Sequence, residues 1–221
     1  MSGSSGASSP EDLVRAVRAA GVTDEPVLEA IRSTPRAVFV PAAHRAAAYR
    51  DTPIPITHGQ VTTQPSLSAM MIAAVGLTGR ERVLEVGTGF GFQTALLARL
   101  AAHVVSVERW SDMAEQARRG LAEQCIGNVE IVVGDGTHGM AARAPYDAVV
   151  VSAAFPRVPP PLVDQLRTGG RLVQPIGPGG EEEVELYERG AHGLVHRRTI
   201  TSACFVRLYG EYGYPADRSG T

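Results

Sequence analysis

The stretch Arg82-Val83-Leu84-Glu85-Val86-Gly87-Thr88-Gly89-Phe90-Gly91 decides the fold. Its first half is a short apolar run of the kind found in buried strands, and glycines then recur at alternate positions. Glycine lets the backbone turn tightly and approach a ligand closely. Residues 92–101 follow with the apolar content of a helix. A strand, a glycine turn and a helix in this order predict a ligand site at the carboxyl end of a parallel strand.

Strand and helix patterns alternate through the rest of the chain. Short runs rich in Val, Ile and Leu predict strands at 82–86, 103–107, 129–133, 147–151 and 171–174, with helices near 92–101, 111–124 and 160–167. Strand patterns recur at 182–188, 194–200 and 203–209, and we expect these strands to pair antiparallel. The predicted fold is therefore α/β, a doubly wound, mostly parallel sheet of Rossmann-like type that ends in antiparallel strands.

The chain ahead of residue 66 is organised differently. Residues 1–10 are rich in Ser and Gly and are expected to form a disordered tail. Residues 11–65 predict a helical and loop extension that packs over the active site, with capping patterns at Ser9 and Asp24. Residues 66–221 are the expected ligand-binding core, and the whole chain is expected to form one compact unit.

Composition narrows the possible partners. The 221 residues carry 21 Lys and Arg against 23 Asp and Glu, so no charge excess favours nucleic acid or a membrane surface, and neither is an expected partner. Cys125 and Cys204 match neither a disulfide framework nor a metal-ligand spacing. We expect a cytoplasmic protein without a signal peptide or a metal site. No repeat or coiled-coil pattern indicates assembly, so a monomer is the default expectation.

Acidic residues follow the predicted strands and indicate the ligand. Glu85 precedes the glycine turn, Glu108 ends the second strand, and Asp135-Gly136 follows the third. A carboxylate beside the turn repels a pyrophosphate, and Phe92 stands where a dinucleotide fingerprint needs a small residue. S-adenosylmethionine carries an ammonium and a sulfonium but no phosphate, so these residues favour it over a nicotinamide dinucleotide. We expect Glu108 to accept hydrogen bonds from ribose hydroxyls and Asp135 to lie near the adenine amino group.

Several sequence words carry a more specific resemblance. They are Gly59-Gln60-Val61-Thr62-Thr63-Gln64-Pro65, Leu84-Glu85-Val86-Gly87-Thr88-Gly89, Gly134-Asp135-Gly136 and Gln165-Leu166-Arg167-Thr168-Gly169-Gly170-Arg171-Leu172-Val173. Together with residues 35–41 and 48–51, they resemble the protein-L-isoaspartate (D-aspartate) O-methyltransferases over roughly residues 11–214. The resemblance implies methyl transfer from S-adenosylmethionine, which leaves S-adenosylhomocysteine, to the free carboxylate of L-isoaspartyl and D-aspartyl residues in damaged proteins. The ester then closes to a succinimide, which begins repair.

The resemblance and the acids at the strand ends together give a set of site residues. Thr63 aligns with the serine of the family and is the predicted catalytic residue, because its hydroxyl would orient the acceptor carboxylate. That carboxylate is already ionised at pH 7, so no general base is needed. Thr63 could instead cap the following helix. The predicted cofactor-binding residues are Gln64, Pro65, Glu85, Gly87, Thr88, Gly89, Gly91, Glu108, Asp135 and Gly136.

Weaker predictions concern the acceptor. Tyr49, Asp51, His58, Ala153 and Ala154 are candidate substrate-binding residues, although local packing, a turn or an exposed loop would also account for the first three. The sequence departs from the family at the Thr57-His58 pair, at Phe90 and Phe92, and at Arg207, where many members have proline. These departures cluster where a substrate peptide is expected to pass, so they bear on the identity of the substrate.

Three alternative functions stay open at this point. A methyltransferase that esterifies an aspartate in one dedicated peptide would have a similar sequence. A protein that binds S-adenosylmethionine without transferring a methyl group would keep the same fold, although retention of Thr63, Glu85 and Glu108 argues against it. A nicotinamide-dependent oxidoreductase fits the acidic residues least well.

Overall fold

The computed structural model describes residues 9–215. The tail predicted over 1–10 falls outside the described residues as far as residue 8, while Ser9 and Pro10 cap and begin helix α1 (Pro10–Ala19). Ser9 Oγ accepts a hydrogen bond from the Asp12 backbone N–H at 3.3 Å, and the Asp12 carboxylate accepts from the Ser9 N–H at 3.0 Å. This reciprocal capping box is the start signal that the sequence carries.

Six α-helices, five short 3-10 helices and seven strands make up the regular structure of residues 9–215. The remaining α-helices are α2 (Glu25–Arg32), α3 (Pro65–Val75), α4 (Phe92–Leu100), α5 (Ser111–Glu123) and α6 (Pro160–Gln165), and the strands are β1 (Arg82–Val86), β2 (His103–Glu108), β3 (Val129–Val133), β4 (Tyr146–Val151), β5 (Leu166–Ile176), β6 (Glu182–Gly190) and β7 (Gly193–Ala203). The sheet order is β3-β2-β1-β4-β5-β6-β7. Strands β1 to β5 are parallel, and β5-β6 and β6-β7 pair antiparallel, which confirms the predicted fold class.

One predicted strand is wrong. Residues 203–209 were expected to form a strand of their own, but β7 continues to Ala203 and the chain beyond it leaves the sheet edge. It crosses to the end of β4, where the Ala154 N–H donates to Val206 O and the Leu208 N–H donates to Ala154 O, both at 2.8 Å. Leu208 is buried in the core there. Burial of apolar side chains beside β4, rather than pairing along an edge, therefore decides the course of this segment.

Both faces of the sheet are covered. Alternate side chains of β1 point to opposite faces, so Val83 packs in the core with helices α1 to α4, while Leu84 packs in the core with α6 and the C-terminal segment. Residues before and after position 65 share the first of these cores, and the predicted domain division there stays a prediction. No helix within residues 9–215 is long and apolar enough to cross a membrane.

A single buried arginine organises the long irregular segment between α2 and α3. Arg36 is fully buried, and its guanidinium donates to the carbonyls of Ala48, Arg50 and Thr52 and to Thr62 Oγ1 at 2.9–3.2 Å. Burial lowers the pKa of Arg36 to about 10, so the side chain stays charged at neutral pH. The cation thus gathers residues 48–62 and fixes the loop that enters the candidate active site.

Candidate active site

A cavity of about 920 Å³, open mouth included, lies at the carboxyl ends of β1, β2 and β4. Six predicted cofactor-binding residues line it: Gly87, Thr88, Gly89 and Gly91 of the glycine turn, together with Glu108 and Gly136. Gly91 has φ +94°, and a Cβ there would lie 3.0 Å from the Ala117 Cβ. Glycine is required at this position both for its backbone conformation and for the close approach of α5.

Glu108 lies where the second strand ends, as predicted, and lines the cavity. Its carboxylate is 3% exposed and accepts backbone N–H bonds from Gly89 at 2.9 Å and from Trp110 at 3.0 Å. Burial raises the pKa of Glu108 above its usual value, although these two N–H donors oppose the shift. A carboxylate has about four lone-pair sites in all, so the group can still accept a hydrogen bond from a hydroxyl of a diol.

Glu85 does not contact the cavity. Its side chain is 0% exposed and lies beneath the glycine turn, and it accepts hydrogen bonds from Gln93 Nε2 at 3.1 Å, Thr94 Oγ1 at 2.5 Å and Ser106 Oγ at 2.6 Å. Burial raises the pKa of Glu85 to about 7, although the hydrogen bonds from these three donors favour the ionised form and lower it. The structure places Glu85 not at the predicted ligand contact but where it joins β1, β2 and α4 under the turn.

Asp135 and Gly136 have different surroundings. The Asp135 carboxylate does not line the cavity and accepts N–H bonds from Thr137 at 2.8 Å and from Glu211 at 2.7 Å, so it anchors the C-terminal segment. Its predicted place near an adenine stays a prediction. Gly136 does line the cavity, and a Cβ there would come within 2.5 Å of Val86 Cγ1. Only glycine fits between the ligand space and β1 at this point.

The residues that begin α3 support the site from outside this cavity. Gln64 Nε2 donates to Asp51 at 3.0 Å, Asp51 Oδ1 accepts the Ser66 backbone N–H at 2.8 Å, and Pro65 opens the helix. Neither Gln64 nor Pro65 lines the cavity at the glycine turn, in contrast to the prediction. Asp51, which was expected to bind substrate, supplies the cap of α3.

Thr63 lies where two cavities meet. It lines the cavity at the glycine turn, hereafter the donor cavity, and an adjoining one of about 720 Å³, the acceptor cavity. Val61, Thr62, Ser152 and Val206 also line both. The Thr63 hydroxyl has no hydrogen-bond partner among residues 9–215, and Gln64, not Thr63, is the N-cap position of α3. The alternative role of Thr63 as a helix cap is therefore not the one that the structure shows.

His58 closes one side of the site without lining it. Its ring stacks on Trp110 with centroids 3.9 Å apart and an interplanar angle of 4°, and its Nε2 lies 2.9 Å from Asp112 Oδ1. His58 adopts φ +57°, which is uncommon for a residue other than glycine. The contact ties the N-terminal extension to the start of α5 across the mouth of the donor cavity.

The other predicted substrate residues separate into two groups. Ala153 lines the donor cavity next to Ser152. Ala154 is buried and pairs with Arg207, and Tyr49 is half-buried between two parts of the core, so neither reaches either cavity.

Three unsatisfied polar atoms indicate where a polar ligand is held. Ser68 Oγ, Gln93 Oε1 and Trp110 Nε1 are buried, have no hydrogen-bond partner among residues 9–215, and belong to residues that line the donor cavity. Buried polar groups are normally paired, so a ligand with both donors and acceptors fits this cavity. S-adenosylmethionine, with its hydroxyls, amines and carboxylate, has these groups. The sequence analysis missed all three residues.

The sheet order, the glycine turn and the buried acid at the end of β2 together define the class, an S-adenosylmethionine-dependent methyltransferase with a Rossmann-like fold. A sequence model of the family "Protein-L-isoaspartate(D-aspartate) O-methyltransferase (PCMT)" matches residues 8–213. The chain belongs to this family.

Individual relatives match over nearly the whole chain. The protein-L-isoaspartate O-methyltransferase of Methanoculleus marisnigri is 48% identical over 204 residues, which are 92% of each chain. Protein-L-isoaspartate O-methyltransferase 2 of Geotalea uraniireducens is 42% identical over 90% of this chain and 92% of its own. A solved structure of a protein-L-isoaspartate O-methyltransferase superimposes with a TM-score of 0.81 at 29% identity and covers 92% of this chain and 67% of its own.

Proposed function

We propose that this chain transfers a methyl group from S-adenosylmethionine to the free carboxylate of L-isoaspartyl and D-aspartyl residues in proteins, with Thr63 as the residue that orients the acceptor. The observation that carries the proposal is the position of Thr63, whose unpaired hydroxyl borders both the donor and the acceptor cavity. A group at this junction can touch a substrate that reaches the donor cavity from the acceptor side.

The donor cavity fits S-adenosylmethionine, which supplies an electrophilic methyl group when bound. The glycine turn and Gly136 give it close backbone approach, and Glu108 accepts from the ribose hydroxyls. The unpaired atoms of Ser68, Gln93 and Trp110 offer it further hydrogen bonds. Glu85 supports the turn from below.

The acceptor needs orientation rather than activation. A carboxylate with a pKa near ~4 is ionised at pH 7, so no proton is removed before attack. S-adenosylmethionine would supply the methyl group: one carboxylate oxygen would form the new bond to the methyl carbon while the carbon–sulfur bond broke and its electron pair stayed on sulfur. Thr63 donates to the other oxygen and aligns the attack. The two charges cancel in this step, so a poorly hydrated cavity favours it.

A peptide pair tests the proposal. Two peptides that differ only in an aspartyl or isoaspartyl linkage are incubated with S-adenosylmethionine carrying a labelled methyl group. We expect methyl incorporation only into the isoaspartyl peptide, as an ester that base releases as methanol. Equal inactivity on both peptides, with S-adenosylmethionine still bound, would contradict the proposed substrate and favour a dedicated peptide instead.

The role of Thr63 has its own variant series. Thr63→Val removes the hydroxyl at nearly constant shape, and a lost hydrogen bond to a charged group predicts a fall in kcat/KM of about 10- to 100-fold. Thr63→Ser should keep most of the activity. Thr23→Val is the matched control, because Thr23 is exposed and lines neither cavity. Unchanged turnover of Thr63→Val would remove this residue from the mechanism.

A further inference from the structure

Two arginine side chains stack on an aromatic pair beside the site. The Arg207 guanidinium carbon lies 5.1 Å from the ring centroid of Tyr214, and that of Arg157 lies 5.7 Å from the ring of Phe155. The rings of Phe155 and Tyr214 meet edge to face with centroids 5.1 Å apart. Stacking restricts each long side chain in advance, so less conformational entropy is lost when a partner binds.

These arginines lie close to the junction of the two cavities. Arg207 follows Val206, which lines both cavities, and Arg207 itself borders the donor cavity. Its backbone pairs with Ala154 at the end of β4, and Arg157 lies three residues beyond Ala154. A peptide whose carboxylate reaches Thr63 therefore has neighbouring residues close to this pair of cations.

Both guanidinium groups are available to an external partner. Arg157 and Arg207 are exposed, and neither forms an ion pair with an Asp or Glu among residues 9–215. Two acidic residues of the adjoining segments are engaged elsewhere: Glu182 accepts the Phe205 N–H at 2.9 Å, and Glu211 lies 3.0 Å from His138. Neither arginine therefore has an internal carboxylate partner within the described part of the chain.

We propose that Arg157 and Arg207 recognise acidic side chains that flank the methylated residue, so that acidic segments of proteins are the preferred substrates. The inference rests on the proposed function, because it concerns the acceptor peptide of the same reaction. Exposed ion pairs are individually weak, which predicts an effect of roughly threefold for each arginine, reduced by added salt.

The test uses three isoaspartyl peptides of equal length, in which the flanking positions carry two glutamates, two serines or two lysines. Steady-state kcat and KM are measured at low and high salt for the wild type and for the double variant Arg157→Ala/Arg207→Ala. The corresponding double lysine variant keeps both charges. Arg80→Ala is the matched control, because Arg80 is exposed and precedes β1 at the opposite end of the sheet.

The expected result is a kcat/KM for the glutamate peptide roughly tenfold above that for the lysine peptide, carried by KM, in the wild type and in Arg80→Ala. The double alanine variant should lose this ratio, and the double lysine variant should retain most of it. Because the ratio compares two peptides on one enzyme, a general change in activity does not affect it. A wild-type ratio near one, or a ratio that survives in the double alanine variant, would overturn the inference and leave the proposed function intact. Methylation of none of the peptides by the wild type would overturn both.

Discussion

Glu85→Gln tests the electrostatic description of the glycine turn. The carboxyl group is fully buried, and its pKa rises from an ordinary 4.5 to about 7. Between these two values the folded protein holds a proton that the unfolded chain has released. Stability therefore falls as the pH rises from 4.5 to 7 and is level above that range. A glutamine at this position cannot ionise, so the variant should lack this part of the pH dependence.

The magnitude follows from the distance between the two pKa values. A rise from 4.5 to about 7 corresponds to roughly 3 kcal/mol, at about 1.4 kcal/mol for each pH unit. The amide that Glu85→Gln introduces can keep the hydrogen-bond pattern, since the hydroxyls of Thr94 and Ser106 can accept as well as donate. We therefore expect wild type and variant to be similar in stability near pH 4.5. At pH 8 the variant should be the more stable protein by up to about 3 kcal/mol.

Urea unfolding at pH 5, 6, 7 and 8 without cofactor measures the difference directly, with tryptophan fluorescence as the probe because the chain has 1 Trp. Glu81→Gln is the control. Burial raises the pKa of Glu81, but hydrogen bonds from Thr78 and Arg80 outweigh it and lower the pKa overall. Glu81 therefore stays ionised from pH 5 to 8. The free energy of unfolding of Glu81→Gln should differ from that of the wild type by a constant amount over this range. Parallel stability curves for wild type and Glu85→Gln would refute the reasoning.

The same variant separates a supporting carboxylate from a ligand-contacting one. Glu85 lies beneath the turn, so Glu85→Gln should change the Kd for S-adenosylmethionine by less than about tenfold at pH 8. A direct charged contact with the cofactor would cost considerably more when removed. Loss of all measurable binding in a stably folded variant would show that the carboxylate reaches the ligand.

Two further variants test the loop that enters the site. Arg36→Leu should lower the free energy of unfolding by about 3–5 kcal/mol in urea titrations, because four acceptors in this loop lose the buried cation that binds them. The exposed control Arg45→Leu should change it little, and a loss below about 1 kcal/mol for Arg36→Leu would contradict this role. His58→Ala should raise the Kd for S-adenosylmethionine about three- to tenfold in a fluorescence titration, because it removes the stacking on Trp110 that closes the site. The same Kd and emission spectrum as in a His44→Ala control would exclude His58 from the closure.

The parallel part of the fold could be predicted because short segments of sequence determine each of its strands and helices. Strands β1 and β3 have the predicted bounds, since each is a short run rich in Val, Ile and Leu that is followed by a glycine. The prediction for the segment after Ala203 was wrong because this segment packs and hydrogen-bonds beside β4, which is far away in sequence. Periodicity shows that a segment is buried but does not show which surface buries it.

The acidic residues illustrate the same limit inside the site. Glu85 shares the face of Val83, which packs under α4, and strand alternation alone places it on the side opposite to Val86. The prediction for Glu85 used its position along the strand but not the face of the sheet on which its side chain lies. Asp135 could not have been assigned from its own surroundings, because its partner is the backbone of Glu211, whose place depends on the whole C-terminal segment.

The donor and acceptor halves of the site differ in how far they depend on the tertiary structure. The donor cavity is built largely from strand ends and the turns that follow them. The glycine turn with Gly87 after β1 and the acid Glu108 at the end of β2 are therefore enough to predict its location. The junction with the acceptor cavity needs Thr63, Ser152 and Val206, which three separate segments bring together. Residues such as Arg207 that border this junction can change without disturbing the glycine turn. Differences in substrate preference between members of the family are therefore expected to arise there, while the methyl donor stays the same.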